Sequence, residues 1–400
     1  MYKLSAVLFE QEKENPMEQQ QEKIREAVES FRQDMLDFWK DLINFQAGSK
    51  EKDRMQTLME KVSAYLERQG MESELVESGA APLIRAWSGK ERAGQPILLS
   101  GHLDTVFPNG SYPENPFTIR EGKAYGPGVC DMKGGIVMAV YLARVLEKIG
   151  YDRHPIKLLF VPDEETTHQG SRAAQLLAEE ARGCLCAFNL ETGRMDNCLT
   201  VGRKGCMDAW ITVHGKAGHV GNAYTRSANA IEEMAHKIIA LRALTDLEKG
   251  RIVSTDIISG GTVSNAVADT CRIEVDCRYD YNEDKEKLQE AIRAICAETH
   301  VPGTRTEVEF PAFMPVFERT EGNDRLLELV NQEARAFGIP AFGAAHPGGC
   351  SDASFMAQAG IPILDSVGVQ GDGAHTLQEY AIVETMFERT MLLAAAICRL

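Results

Sequence analysis

Two hydrophobic rhythms alternate along this chain, and the points where one gives way to the other mark its parts. Residues 17–46 and 53–69 carry apolar side chains at helical spacing; in the second stretch Leu58, Val62, Tyr65 and Leu66 share a face, and Gly70 supplies a stop. Strand-like runs follow at Met71–Ser78 and Ala81–Ser88. Next comes Ile97–Leu99, apolar throughout, bounded by turn residues and too short for a helix. Thr105–Val129 is loop-rich, with Pro108, Pro113 and Pro116. An apolar helix is expected over Ile136–Ile149, closed by Gly150, then a strand Ile156–Val161, a helix Ser171–Ala181 and a strand Cys184–Leu190. Strands that are apolar on every position are covered on both faces. The alternation with helices therefore predicts an α/β body, a mixed, mostly parallel sheet with helices on both sides.

From Gly205 to Met314 the period changes to two. Cys206–His214 alternates, Ser227–Leu244 is helical, Arg251–Ser259 and Thr270–Tyr279 are strands, Glu283–Thr299 is a helix and Thr304–Phe310 a strand. That order, βαββαβ, is the ferredoxin-like arrangement, an α+β unit with its own half-covered sheet. The first grammar then resumes with a helix at Asn323–Phe337, a turn at Gly348–Asp352 opening another helix, a strand at Ile361–Val369, a loop at Gly371–His375 and a helix at Val383–Leu400. The chain thus divides into an extension (1–16), a first body segment (17–204), an inserted domain (205–314) and a second body segment (315–400).

Composition narrows the class. With 44% apolar and 26% charged residues the chain has the makeup of an ordinary globular protein. A net charge of −16 disfavours nucleic acid and anionic membrane as partners, since both attract basic patches. No apolar run has the length of a membrane span, and Met1–Glu22 lacks the pattern of a secretory signal. Ten cysteines are scattered without a spacing framework, and Cys184 and Cys186 fall in an apolar strand pattern as core residues; a reducing, cytoplasmic setting is the expectation.

The chemistry gathers at strand ends. His102 and Asp104 follow the Ile97–Leu99 run; Asp131, Glu164 with Glu165, Glu191 and His375 stand just beyond other strands or in glycine-bearing loops. Ligands of open α/β sheets collect at such carboxyl ends. That much negative charge in one crevice is costly unless cations offset it. Imidazole and carboxylate without thiolate suits zinc, cobalt or manganese. Five ligands, His102, Asp131, Glu165, Glu191 and His375, give three per metal if one carboxylate bridges, which leaves each metal a position for a shared hydroxide. Asp104 is then free to orient His102, and Glu164 to act as general base. His154, His168, His214, His236, His300 and His346 are taken as structural or surface residues.

These residues lie in motifs that resemble the di-zinc aminoacylase and carboxypeptidase family, which includes bacterial glutamate carboxypeptidase, succinyl-diaminopimelate desuccinylase, acetylornithine deacetylase and peptidase T. The motifs are Ser100-Gly-His102-Leu-Asp104-Thr-Val106, Gly128-Val-Cys-Asp131-Met-Lys-Gly-Gly135, Pro162-Asp-Glu164-Glu165, Asn189-Leu-Glu191, Gly215-Lys-Ala-Gly-His219, Gly260-Gly-Thr-Val-Ser-Asn265 and Gly373-Ala-His375. The resemblance implies two zinc ions per subunit, with Asp131 bridging, His102 and Glu191 completing one site and Glu165 and His375 the other. It further implies a cis bond between Asp131 and Met132. The insert would be a lid that forms a homodimer, and His219 would reach the partner's site to hold the developing oxyanion, assisted by Asn265. Arg278 would grip the substrate's carboxylate, and Gly348 and Gly349 would let backbone N–H groups approach it. The implied reaction is hydrolysis of the amide bond to a C-terminal amino acid in a small peptide. Glutamate is favoured, because the spacing around Asn265 and Arg278 looks most like the glutamate carboxypeptidase branch. An N-acetyl or N-succinyl amino acid deacylase is the alternative, and a silent ligand-binding relative is a remote third. Met132 departs from some carboxypeptidases, which carry a second Asp there, and the segment before Met17 has no counterpart.

Overall fold

The computed structural model describes residues 16–79 and 81–400; the extension read over 1–16 lies outside them apart from Pro16. Helices α1 (Pro16–Asn44) and α2 (Lys52–Arg68) lead into strands β1 (Glu72–Val76), β2 (Leu83–Ser88) and β3 (Ile97–His102). Helix α3 (Gly134–Lys148), strand β4 (Ile156–Val161), helix α4 (Ala173–Ala181) and strand β5 (Cys186–Asn189) complete the first body segment. The insert supplies β6 (Gly205–His214), α5 (Ala230–Arg242), β7 (Ile252–Gly260), β8 (Thr270–Tyr279), α6 (Glu283–Ala297) and β9 (Arg305–Glu309). Helix α7 (Glu321–Ala336), strand β10 (Ile363–Leu364) and helix α8 (Val383–Arg399) end the chain.

The body sheet runs β1-β2-β4-β3-β5-β10, antiparallel over β1, β2 and β4 and parallel from β4 through β10. Period-two alternation sends its side chains to two cores. Ile97, Leu99, Leu158 and Phe188 pack with α1, α3 and α8 on one face, while Leu98, Leu159 and Ala187 pack with α4 and the Ala353–Met356 turn of helix on the other. Helix α3 is apolar all round because it lies inside, between the sheet and α1 and α8. Its approach to the sheet needs glycine: a Cβ on Gly135 would stand 2.0 Å from the Leu190 carbonyl oxygen.

The insert forms its own antiparallel sheet in the order β7-β8-β6-β9, the ferredoxin-like sequence of strands. Its apolar positions, Met207, Ala209, Ile211, Val213, Ile273 and Val275, face α5 and α6, which contribute Met234, Leu241, Leu288 and Ile292.

Two expectations need correction. The strand read over Ile361–Val369 is only Ile363–Leu364. Asp365, fully buried, accepts from Arg203, Asn189 and Ser351, and Ser366 turns the backbone to φ 59°. The carbonyls of Ser366 and Gly368 then accept from Arg389 instead of a neighbouring strand. The stretch Thr105–Val129 is not wholly loop. Thr118–Arg120 and Lys123–Tyr125 form a hairpin that pairs with Tyr380–Ile382, and through it with Gly371–Asp372. Three-residue strands are too short to show a period.

Candidate metal centre

Strands β3, β4 and β5 lie side by side and end together, which brings three distant loops to one crevice. His102 closes β3 opposite Val161, the last residue of β4, and Ser100 pairs with Asn189 at the end of β5. Beyond those ends stand Asp104, then Glu164 and Glu165, then Glu191. Asp131 arrives from the loop before α3 through a cis Asp131–Met132 bond, and His375 from the loop after Gly371–Asp372, at φ 64°.

The contacts fall into two groups that share one side chain. His102 Nε2 lies 3.2 Å from Asp131 Oδ1 and 3.6 Å from Glu191 Oε1. His375 Nε2 lies 3.4 Å from Asp131 Oδ2 and 2.9 Å from Glu165 Oε2. In each trio the ligand atoms sit within 4.8 Å of one another, the spacing of groups around a single cation, and each oxygen of Asp131 faces a different trio. The donor set, two imidazoles and three carboxylates without sulfur, fits a borderline or hard divalent ion. Asp104 Oδ1 stands 3.2 Å from His102 Nδ1, so the ring presents Nε2 to the centre; the same carboxylate accepts the backbone N–H groups of Glu164 and Glu165 at 3.2 Å each. Glu164 belongs to neither trio.

Burial and the neighbouring negative charges of Asp352, Glu165 and Asp104 push Glu164 up to about 8. Burial likewise raises Glu165 and Glu191. Hydrogen bonds to Asp131 and Glu165 raise His375 to about 10. Burial alone would raise Asp131, yet bonds from both histidines hold it below the usual carboxylate range. A group raised in the folded chain adds stability that is complete below its unfolded pKa and is lost as pH climbs through the folded one. Lys133, lowered to about 8 by burial, runs the other way and is outnumbered. The metal-free protein is therefore expected to melt at progressively lower temperature from about pH 4.5, the ordinary value of Glu164, to about pH 10, the raised value of His375. Zinc should flatten the profile; thermal scans in chelator that show no decline would contradict this charge balance.

Several functional side chains were not legible beforehand. Glu379, buried, accepts backbone N–H groups from Gly128 (2.9 Å), Cys130 (2.8 Å) and Asp131 (3.1 Å), and so holds the loop that aims Asp131. Lys133, also buried, donates to the Leu42 and Phe45 carbonyls at 3.1 and 3.4 Å and ties that loop to the end of α1. His168, placed among the structural histidines, is buried between Asp163 (2.8 Å) and Asp352 (2.7 Å), beside Glu164 in sequence.

The candidate residues of the insert assemble separately. His219 pairs with Ala266 across a two-stranded ribbon, next to Asn265, whose carbonyl accepts from Val220 at 3.1 Å. Both are exposed, and neither side chain takes part in the contacts of the two trios. Arg278 makes a two-pronged pair with Asp276, Nε and NH2 at 2.7 Å, and its NH1 faces the Gly348 carbonyl at 3.4 Å. Gly349 is held from the other side, its carbonyl accepting from Arg203 at 3.1 Å.

The profile of Peptidase family M20/M25/M40 matches residues 98–399. Carboxypeptidase G2 of Pseudomonas sp. (strain RS-16) is 29% identical over 308 residues, 76% of this chain and 74% of that protein. A succinyl-diaminopimelate desuccinylase of Gluconacetobacter diazotrophicus is 28% identical over 332 residues, 77% of this chain and 82% of that one. Among solved structures, aminopeptidase PepT from Bacillus cereus superimposes with a TM-score of 0.76 at 21% identity, covering 92% of this chain and 98% of the other. An M20 family metallo-carboxypeptidase from Sulfolobus solfataricus does so with 0.73 at 14%, covering 91% and 98%.

Proposed function

The chain belongs to peptidase family M20/M25/M40, and from that premise we propose that it is a two-zinc exopeptidase of carboxypeptidase type, cleaving the amide bond to a C-terminal amino acid, glutamate first among them. Members of the family are metal-dependent, and the chain is a hydrolase of amide bonds. The observation that carries the finer reading is the pair of three-ligand groups sharing Asp131. His102, Asp131 and Glu191 would hold one cation, and Asp131, Glu165 and His375 the other. Bound there, two divalent ions acidify water and polarise the scissile carbonyl (cobalt or manganese could do the same).

The chain's own groups do the rest. Glu164, outside both trios, takes the proton of the attacking water and returns it to the leaving amine. Asp104 fixes the ring of His102. Arg278 has committed Nε and NH2 to Asp276, so its NH1 edge is the one that meets a substrate carboxylate, between the Gly348–Gly349 turn and the lid.

His219 and Asn265 act from the partner subunit in this reading. Edge strand β7 exposes Ile257 and Ile258, and α5 exposes Ile231 and Ile239, an apolar edge and helix suited to pairing with a second lid. Dimers mixed from His219→Ala and Glu164→Ala chains are expected to regain activity, since one of the two composite sites is then intact. Mixed dimers as inactive as their parents would remove His219 from catalysis across the interface.

A panel of peptidyl-glutamates against N-acetyl and N-succinyl amino acids, assayed with zinc, tests the substrate class. The proposal expects the peptidyl-glutamates to give the higher kcat/KM. Preference for the N-acyl amino acids would favour deacylation, the reading to which the desuccinylase relative points. Among the described residues no helix is long and apolar enough to cross a membrane.

A further inference from the structure

Where the chain passes from body to lid, two thiols meet. Cys206 is the second residue of β6, just past Arg203 and Lys204. Its strand neighbours are Arg278 of β8 on one side and Met314, at the lid's exit, on the other. Both crossings between the domains therefore flank Cys206. Cys350 comes from the body, in the turn that follows Gly348 and Gly349. Its thiol lies 3.5 Å from the Lys204 carbonyl, to which it donates, and 3.4 Å from Arg278 NH1, so it is docked against the strand that carries Cys206. Both thiols pack against the same buried cluster as Met314 and Met356, and both are free and partly accessible. The turn has room to adjust: a Cβ on Gly348 would meet nothing within 4 Å.

The pair is also chemically unequal. The neighbouring Cys350 and the guanidinium of Arg278 hold the Cys206 thiol below its usual range, while the nearness of Cys206 and burial push Cys350 up. Cys206 is therefore the attacking sulfur and Cys350 the resolving one. Buried Cys130, Cys186 and Cys277 are all raised, with burial the largest cause, and so are inert by comparison.

The geometry points to Cys206 and Cys350 as a reversible oxidation site, whose disulfide fastens the lid to the body beside Arg278. The co-reactant is hydrogen peroxide. The Cys206 thiolate attacks one peroxide oxygen, the O–O bond breaks and the departing hydroxide is protonated to water, which leaves a sulfenic acid. The Cys350 sulfur then attacks the sulfenic sulfur; the S–O bond breaks, and water leaves with the thiol proton. The two sulfurs give up two electrons in all, and the peroxide takes them. A bond at the point where the chain enters and leaves the lid fixes the hinge, and with it the gap between Arg278 and the Gly348–Gly349 turn.

The test treats the full-length, zinc-loaded protein with hydrogen peroxide and maps peptides by mass, which reads the crosslink whichever amide the enzyme cleaves. A Cys206–Cys350 peptide lighter by two hydrogens should form before other cysteines react and disappear with dithiothreitol. Closing so long a loop should raise the melting temperature by about 5 °C. Fixing the lid should lower kcat/KM on the best substrate of the panel by about tenfold or more, reversibly, which separates it from methionine oxidation. Cys206→Ser and Cys350→Ser should each abolish the crosslink, and either one suffices if the other fails to fold. Oxidation elsewhere while these two stay as thiols, or a crosslink that leaves kcat/KM unchanged, would overturn the assignment.

Discussion

Replacing Glu164 with alanine is expected to lower kcat by about 10²- to 10⁴-fold while both zinc ions stay bound, the range that a lost general acid–base group accounts for. Glu164 stands outside both ligand trios, so its loss removes no donor from either. Its backbone N–H, which Asp104 accepts, remains in the variant, so the loop that also carries Glu165 keeps its anchor. Burial first, and then the negative charges of Asp352, Glu165 and Asp104, keep the basicity of the Glu164 side chain high enough to take a proton near neutral pH. Steady-state kinetics and metal content on the same preparation check the pair of expectations. Turnover near that of the parent protein would remove Glu164 from the role, and loss of zinc would make it a ligand.

Asp131→Ala should abolish activity for the opposite reason, by emptying both sites at once. Each of its oxygens faces a different trio, Oδ1 toward His102 and Oδ2 toward His375. Removing a group that only orients a ligand costs about 10–100-fold in metal affinity, so removing a shared ligand should cost more at both positions. Glu191→Ala, by contrast, should weaken only the His102 site and leave the Glu165–His375 site occupied. Equilibrium dialysis against zinc distinguishes the two variants. Equal loss from both, or a single site surviving in Asp131→Ala, would show that Asp131 does not bridge.

The parts legible in the sequence were those written locally. The apolar runs within β3, β4 and β5 announced a covered sheet, and the alternation of β6 and β8 announced a half-covered one. The acids and imidazoles at strand ends could be gathered on paper because parallel strands necessarily finish on one side. Glu379 could not: it works by accepting N–H groups from Gly128, Cys130 and Asp131, some 250 residues earlier, and no local pattern encodes such a bond. That His168 is a structural histidine and not a surface one is not legible locally, because neither Asp163 nor Asp352 marks it as their common partner until the fold brings the Gly348–Asp352 turn over the Glu164 loop. The short β10 was overread for the same reason, since the bonds that bend the chain away at Asp365 come from Arg203 and Asn189. Only the Asp276–Arg278 pair was available and overlooked: residues two apart on a strand share a face.

The account rests on two cations sharing Asp131. A crystal grown with zinc and measured across the zinc absorption edge tests this most directly. Two anomalous peaks roughly 3.5–4 Å apart are predicted, one among His102, Asp131 and Glu191 and the other among Asp131, Glu165 and His375. A single peak, or a pair lying away from Asp131, would contradict it.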